Sequence, residues 1–402
     1  MAATLIFAAT YLVLAIGRFP GLRIDRTGAA VVGASLMVAS GVLRFDEALR
    51  AVDWTTIVLL LGMMIVVANL HLSGFFRLVA ARVVEHAHSP KMLLAGIVGV
   101  SGVLSALFVN DTMCIVLTPL VVQVTLSLRR NPAPYLLAVA MGANAGSVAT
   151  ITGNPQNMMI GALSGIPYPR FTAALAPVAA VSLVLTWVAL VVMFREEFRS
   201  GRFERIEVGR IRVNQPLMWK AVAVSAGMVL FFFRGWPVAQ TAIVAGAVLL
   251  ITRRVKPERV YHDIDWPLLA MFAGLFIVVR GFETTALERG LLDFAEGTPL
   301  DRPAVLGFFS AAASNLVSNV PAVLLFKPVI AKLADPALSW LVLAMSSTLA
   351  GNFTLVGSVA NLIVVERARP EVRIRFMEHF KVGAPVTVLS IAFGALWLSW
   401  YR

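Results

Sequence analysis

The chain has 402 residues, of which 59% are hydrophobic and only 14% charged, and its mean hydropathy is +0.83. Soluble domains carry about 25% charged residues, so this composition excludes an ordinary soluble protein. The net charge of +12 would favour nucleic-acid binding in a soluble chain. In a membrane protein it favours basic cytoplasmic loops instead, so we expect a lipid bilayer and no nucleic acid as partner.

Apolar segments long enough to cross a bilayer recur along the whole chain. The first group lies near 2–17, 27–43 and 54–70, followed by a polar piece at 71–89, a hairpin at about 91–126, a broken helix at about 135–163 and a span at 171–194. The second group lies near 217–234, 236–252 and 266–281, followed by a polar piece at about 282–301, a hairpin at about 303–333, a broken helix at about 338–365 and a span at 380–400.

The first predicted break lies in the stretch GANAGSVATITGNPQN, residues 142–157. Its last six residues, 152–157, are poor helix formers, and Pro155 cannot donate a backbone hydrogen bond. In lipid, a broken backbone is tolerated only where protein or a water-filled cavity satisfies the freed groups. Many secondary transporters build their binding site from helices broken in this way.

The chain contains an internal repeat. An offset of 204 residues aligns the first break with residues 354–361, and similar offsets align Asp53-Trp54 with Asp265-Trp266, Gly62 with Gly274 and Asn110 with Asn319. Apolar segments can resemble one another by chance, but such chance similarity would not align Asp-Trp, Asn and Gly, so a true internal repeat is favoured. We predict a first repeat at 1–194, an Arg-rich cytoplasmic linker at 195–216 and a second repeat at 217–402.

The orientation of the repeats follows from counting crossings. Each hairpin adds no crossing or two, so each repeat crosses an odd number of times and the repeats are oppositely oriented. With both termini outside, the predicted cytoplasmic segments hold 24 of the 34 lysines and arginines, as the positive-inside rule requires. The predicted fold is an all-α polytopic membrane protein of the cell inner membrane, an inverted-topology repeat with two helical hairpins and two broken transmembrane helices.

Polar residues occupy both predicted hairpin tips, Asn110-Asp111-Thr112 and Ser318-Asn319-Val320. Such residues are costly in lipid unless they face a polar cavity, and a re-entrant hairpin would place them near the membrane midplane. Asp111 is the strongest candidate for a functional residue, either as a ligand for sodium or as a proton carrier. The alternative is an extramembrane turn between two full spans, with Asp111 exposed.

The breaks supply the other candidate binding residues, which are Thr152, Gly153, Asn154 and Asn157 in the first repeat and Gly357, Ser358 and Asn361 in the second. Glycine would allow close approach of the backbone to a bound group. A Pro-kinked helix without a ligand is the alternative. Asn144 and Thr150 precede the first break, and we expect them to hydrogen-bond to a neighbouring helix instead.

Two further predictions concern charge. A sodium ion, the one cofactor considered, would lie near Asn110, Asp111 and Gly153. Lys327, in an arm of the second hairpin, would replace a second cation or attract an anion, unless its ammonium reaches the membrane interface.

The sequence carries no sign of an enzyme. The five histidines lie in or beside predicted loops without metal-binding spacing, and no nucleophile elbow, phosphate loop or HExxH pattern is present. The single cysteine, Cys114, excludes an intramolecular disulfide and a thiolate cluster.

Taken together, the tips and breaks resemble the ion-transporter superfamily with a citrate-transporter-like domain. Its members include sodium-coupled di- and tricarboxylate symporters, arsenite permeases and one type of sodium/proton antiporter. The resemblance covers essentially the whole chain. It implies a homodimer with a scaffold and a transport domain that moves as an elevator, and cation sites between each hairpin tip and the following break.

The chain departs from the dicarboxylate pattern in three places. Asp111 replaces an asparagine and is closer to the arsenite-permease pattern, Val320 replaces a threonine, and the second break lacks prolines. The sequence therefore predicts a secondary active transporter that moves a small anion, coupled to sodium or protons. A sodium/proton exchanger or an arsenite-type exporter using Asp111 is the alternative, and a channel or a membrane-embedded enzyme is disfavoured.

Overall fold

The computed structural model describes residues 1–17, 24–199, 211–283 and 285–401, and these residues form helices joined by short turns. The all-α class predicted from the sequence is confirmed. Residues 200–210 of the predicted linker 195–216, and residues 18–23 between the first two predicted apolar segments, lie outside the described residues.

The first repeat contains α1 (Ala2–Ile16), α2 (Arg26–Ala39), α3 (Phe45–Ala51), α4 (Trp54–Ser73), α5 (Phe75–Glu85), α6 (Pro90–Leu107), α7 (Asn110–Ser127), α8 (Pro132–Ser147), α9 (Pro155–Ser164), α10 (Tyr168–Met193) and α11 (Arg195–Phe198). The second contains α12 (Gln215–Phe233), α13 (Val238–Leu250), α14 (Pro257–His262), α15 (Trp266–Phe282), α16 (Ala286–Gly297), α17 (Pro303–Val317), α18 (Asn319–Ile330), α19 (Pro336–Leu349), α20 (Val359–Ala368) and α21 (Phe376–Trp400).

Six helices in the described part of the chain are long and apolar enough to cross a membrane, namely α4, α6, α7, α10, α12 and α21. Six shorter apolar helices accompany them, namely α1, α2, α13, α15, α17 and α18. Matching caps begin α4 and α15. Asp53 accepts from the backbone N–H of Thr56 at 2.7 Å, and Asp265 accepts from Leu268 at 3.0 Å, as N-cap carboxylates do.

The two repeats are interlocked through glycine contacts. Helix α4 packs on α13, and its repeat counterpart α15 packs on α2. A Cβ at Gly62 would lie 2.6 Å from the backbone of Ala242, and one at Gly274 would lie 2.7 Å from the backbone of Ala30. The partners Ala30 and Ala242 are themselves 212 residues apart, so the same backbone contact occurs twice. Small residues permit such close approach of membrane helices.

The first break lies slightly earlier than predicted. Helix α8 ends at Ser147, a 3-10 turn covers Ile151–Gly153, and α9 begins at Pro155. Residues 155–157 therefore form the first turn of α9 rather than part of the break. The reason is that Asn154 caps α9, its Oδ1 accepting from the backbone N–H of Asn157 at 2.8 Å, and proline is favoured at the first helical position.

The second break has the same design. Helix α19 ends at Leu349, a 3-10 turn covers Ala350–Asn352, and α20 begins at Val359. The side chain of Ser358 caps α20 by accepting from the backbone N–H of Ala360 at 3.2 Å. Serine here takes the place of the Asn154 cap of the first break.

Both hairpin turns are very short, so the predicted polar tips belong largely to helices. Asn110–Thr112 form the first turn of α7, and only Phe108 and Val109 join it to α6. Ser318 alone joins α17 to α18, with a φ of 79° and a ψ of 158°. Non-glycine residues rarely adopt this region, and it costs about 1–3 kcal/mol where surrounding structure enforces it.

The second hairpin is too short to form two full membrane spans. Helix α18 has 12 residues, which reach about 18 Å, well short of a hydrocarbon core of about 30 Å. Helices α6 and α7 are longer, but Asn110 at their tip is only 4% exposed. Its amide contacts α8 beside the first break. The first hairpin tip therefore packs against α8 through a buried asparagine.

The glycine contacts predict that alanine substitution destabilises the protein at Gly62 but not at Gly99. Gly62→Ala should lower the stability of the purified protein by about 1–3 kcal/mol, because the backbone of α13 must move to admit the methyl group. Gly99→Ala is the matched control, since nothing lies within 4 Å of a Cβ at that position. Thermal unfolding in detergent measures both, and equal melting temperatures would contradict the contact.

Candidate functional site

The two breaks face each other, and Asn144 connects them. Its amide nitrogen donates to the side-chain oxygens of Asn352 at 2.9 Å and Asn361 at 3.1 Å. Its own side-chain oxygen accepts from Asn110 at 3.2 Å and Ser358 at 3.1 Å. Asn144 thus links the first hairpin tip to the second break. The expectation that it hydrogen-bonds to neighbouring helices is confirmed, and so is that for Thr150, whose hydroxyl donates to the carbonyl of Ala106.

Asn157 closes the first break. Its amide nitrogen donates to the carbonyls of Ser147 at 3.1 Å and Thr150 at 3.0 Å. These are carbonyls at and just beyond the end of α8. The side-chain oxygen of Asn157 accepts from the hydroxyl of Thr348, in the other repeat, at 3.4 Å. The amide nitrogen of Asn157 is therefore used within the protein.

Asn361 does the same at the second break. Its amide nitrogen donates to the carbonyls of Gly351 at 2.7 Å and Thr354 at 3.0 Å, which are the repeat counterparts of those bound by Asn157. Its side-chain oxygen accepts from Asn144, the counterpart of Thr348. Each repeat therefore caps its own broken backbone and is hydrogen-bonded by the other.

The remaining break residues are buried in the same network. Asn154 donates to the hydroxyls of Ser147 at 3.0 Å and Thr348 at 3.2 Å, and the Thr152 hydroxyl lies 3.1 Å from that of Tyr168. The close approach at Gly153 is to the end of its own helix, because a Cβ there would lie 2.2 Å from the Ser147 carbonyl oxygen.

Gly357 is equally confined. A Cβ at this position would lie 2.9 Å from the side-chain oxygen of Asn315 and 3.1 Å from the carbonyl oxygen of Gly351. Both break glycines therefore allow the chain to turn back on the helix it has just left.

A cavity of about 230 Å³, hereafter the central cavity, lies where tips and breaks meet. It is lined by Leu14, Arg26, Thr27, Asn110, Asp111, Pro155, Gln156, Asp265, Pro267, Leu268, Met271, Ser318, Asn319, Val320, Pro321, Ser358 and Val359. Five predicted site residues therefore share one cavity, namely Asn110, Asp111, Ser318, Asn319 and Ser358. The other predicted break residues, and Thr112, are not part of its lining.

Lys327 lies outside this cavity. Its ammonium is 3.3 Å from a carboxylate oxygen of Glu283, whose other oxygen is 2.8 Å from the Arg280 guanidinium. The structure thus pairs Lys327 with an acid and does not bring it to the other predicted site residues.

Four polar residues of the central cavity escaped the sequence analysis, namely Arg26, Thr27, Gln156 and Asp265. Arg26 falls between the predicted apolar segments 2–17 and 27–43, where a basic loop residue is expected, and Asp265 stood out in the sequence only as the repeat counterpart of Asp53. A signal for Arg26 was present, because its repeat counterpart at an offset of 212 is the apolar Val238. Where two matching helices begin with a charged residue in one repeat and an apolar residue in the other, the charged residue has a role that the repeats do not share.

His379 was also misplaced. It lies within α21 and is fully buried, with its Nε2 atom 2.9 Å from the carbonyl oxygen of Asn352. Helix α21 begins earlier than the predicted span because the Glu378 carboxylate accepts from the backbone N–H of Arg375 at 2.9 Å, an N-terminal cap.

The central cavity has groups suited to binding an anion and groups suited to binding a cation. Helices α7, α9, α18 and α20 all begin at its wall, and helix N-termini favour anions. The side-chain oxygen of Asn110 is buried without a hydrogen-bond partner, and the Asp111 carboxylate shares the cavity. A buried orphan oxygen beside a carboxylate fits a cation ligand set.

Comparison with known proteins identifies the family. A family model described as "Citrate transporter" matches residues 11–350. The chain belongs to the citrate transporter family. It is a multi-pass membrane transporter and not an enzyme.

Individual relatives agree with this assignment. The chain is 30% identical to the rice (Oryza sativa subsp. japonica) "Silicon efflux transporter LSI3", with 93% of this chain and 92% of that protein covered. It is 24% identical to the "Putative transporter arsB" of Dictyostelium discoideum, with 93% and 87% covered.

Solved structures share the fold. The Neisseria gonorrhoeae MtrF structure, described as illuminating a class of antimetabolite efflux pumps, superposes with a TM-score of 0.63 at 13% identity, covering 99% of this chain and 94% of that chain. The Alcanivorax borkumensis YdaH transporter superposes with a TM-score of 0.59 at 15% identity, covering 100% and 98%. At these identities the likeness concerns the fold.

The matched asparagines predict matched losses of stability. Asn157→Ala and Asn361→Ala should each destabilise the folded protein by about 1–3 kcal/mol, because each leaves two buried backbone carbonyls without their amide donor. Melting temperatures in detergent test this, with Asn214→Ala, which removes the side chain that caps α12, as a peripheral comparison. A break that merely forms a kink would tolerate both central changes as well as the peripheral one.

Proposed function

We propose that this protein is a secondary active transporter that moves a small anion across the inner membrane, coupled to sodium or protons. The observation that carries the proposal is the central cavity, where both hairpin tips and both breaks meet. Four helix N-termini would hold the anion, and Asn110 and Asp111 would hold the coupling cation.

The charges of the cavity give a physical reason for coupling. Arg26 contributes one positive charge, whereas Asp111 and Asp265 contribute two negative charges when ionised. An anion entering alone would therefore meet a net negative lining in a medium of low dielectric. Protonation of Asp111, or a sodium ion beside it, removes that excess. The anion and the cation then bind more strongly together than either binds alone.

Alternating access would follow from movement of the hairpins and broken helices against the other helices, within a homodimer. The structure contains a buried hydrogen bond that such a movement would break. The hydroxyl of Tyr11, on α1, donates to the carbonyl of Pro321, on the second hairpin, at 3.0 Å. It would act as a latch for the conformation described here.

A second candidate function is export of an uncharged hydroxylated solute, with Asp111 exchanging a proton or sodium. Two named relatives favour it, one a silicon efflux transporter and the other carrying the name arsB. Amide and hydroxyl groups at the cavity, such as Asn110, Gln156 and Ser318, donate and accept hydrogen bonds as such a solute requires.

A thermal-stability scan of the purified protein distinguishes the candidates. Citrate, phosphate, sulfate, arsenite and silicic acid are each added across a range of sodium concentration and pH, because a ligand of the folded state raises its stability by mass action. We expect stabilisation by an anion that depends on sodium or pH. Stabilisation by silicic acid or arsenite alone supports the exporter. Stabilisation by sodium alone, in competition with protons, supports a sodium/proton exchanger.

Asp111→Asn tests the coupling. The variant keeps the shape of the side chain but neither exchanges a proton nor carries a charge, so transport into proteoliposomes should lose its dependence on sodium or pH. Asp46→Asn, at an exposed residue paired with Arg44, is the control and should behave as wild type. Full ion dependence in Asp111→Asn would remove this residue from the coupling.

Tyr11→Phe tests the latch. It removes one hydrogen bond worth about 1 kcal/mol and so should shift the conformational equilibrium by about fivefold. Site-directed spin labels on α1 and the second hairpin would report a broader or shifted distance distribution. Tyr261→Phe, at an exposed tyrosine of α14, is the control. An unchanged distribution in Tyr11→Phe would show that this bond does not hold the conformation.

A further inference from the structure

Arg26 differs from the other polar groups of the central cavity in its charge, and from most of them in the helix that supplies it. It is the first residue of α2, whereas the hairpin tips and breaks supply most of the remaining polar lining. Among the described residues that line the cavity it is the only basic one. Its guanidinium also lies beside Gly17 at the end of α1, since a Cβ there would be 3.8 Å from an Nη atom.

The same side chain lines a second cavity of about 620 Å³, hereafter the vestibule. The vestibule and the central cavity share three residues, Arg26, Ser318 and Val359. Its lining also includes Leu316 and Val356, which are 70% and 60% exposed. The vestibule therefore opens to the surface, and Arg26 lies at the neck between the outside and the central cavity.

Within the described part of the chain, no carboxylate lies close enough to Arg26 to form an ion pair with it. Asp25, Asp111 and Asp265 lie on the walls of the two cavities, yet among the described residues Arg26 forms no ion pair within 4.0 Å. Its Nε atom is buried without a hydrogen-bond partner. A partly buried guanidinium without a partner is costly, and its planar fork matches the geometry of a carboxylate or an inorganic oxyanion.

We propose that Arg26 selects the charge of the substrate, by contacting the carboxylate or oxyanion group as it passes from the vestibule into the central cavity. The inference rests on the proposed function in its anion form and adds the residue that would enforce it. Arg26 would then be a specificity residue, distinct from Asp111, which would set the ion dependence.

The test is equilibrium binding of three probes to the purified full chain in detergent: citrate, phosphate and uncharged silicic acid. Arg26→Gln removes the charge, and Arg26→Lys keeps it without the planar fork. Arg44→Gln removes the same charge from an exposed position. Val359→Glu adds a carboxylate to the neck at a residue that is 44% exposed and begins α20, where an acid is favourable for the helix.

We expect Arg26→Gln and Val359→Glu to weaken citrate and phosphate binding about tenfold or more, the loss of one charge-assisted interaction. Arg26→Lys should weaken it less, Arg44→Gln should match wild type, and any response to silicic acid should stay the same. If Arg26→Gln does not fold, Val359→Glu decides the question alone.

Two results would overturn the role of Arg26 while leaving the proposed function intact. One is wild-type affinity for citrate and phosphate in both Arg26→Gln and Val359→Glu. The other is a loss of affinity for silicic acid as large as the loss for the two anions. A wild-type protein that binds neither anion at any sodium concentration or pH would instead refute the anion form of the proposed function, and the role of Arg26 with it. The wild-type measurement separates these two failures.

Discussion

The structure depends on one constraint of the bilayer: backbone groups released by a broken helix must find partners inside the protein. Asn157 and Asn361 supply them, each donating its amide to two carbonyls at the end of the preceding helix segment. Because these amides satisfy the broken backbone, the turns that follow can present other groups to a cavity. The central cavity is therefore lined by residues near the asparagines, such as Ser358 and Pro155, and the asparagines themselves stabilise the broken backbone.

The two repeats share this backbone solution but differ in the groups that they present. The first hairpin tip places Asn110 and Asp111 at the cavity and is tied to the second break through Asn144. The second tip presents Asn319, whose side-chain oxygen accepts instead from Ser314 of its own hairpin at 2.7 Å. A carboxylate is present at one tip only. The two repeats therefore share a backbone arrangement but carry different charged groups. Arg26, on α2, adds a further difference between them.

Much of the fold could be predicted from the sequence because polar residues inside apolar segments are informative in lipid. Asn110, Asn157 and their repeat counterparts marked the tips and breaks, and Asp53 and Asp265 marked helix starts. The sequence could not decide between two roles that were equally plausible for the same residue. A basic residue beside a predicted loop satisfies the positive-inside rule whether or not it faces a cavity, so Arg26 went unrecognised. Asn352 escaped because its repeat counterpart is Val148. The first break was placed a few residues late because Pro155 is as suitable for starting a helix as for interrupting one.

The exchanged hydrogen bonds between Asn144 and Asn361, and between Thr348 and Asn157, make the two halves of the chain interdependent. Each half of the chain depends on the other for partners of its buried polar groups and for the glycine contacts of α4 and α15. A half-length chain inserted alone would leave those groups unsatisfied in lipid. Their partners come from the other half. The two halves therefore stabilise each other, and a chain cut between them would need both pieces in the same membrane to keep its buried polar groups hydrogen-bonded.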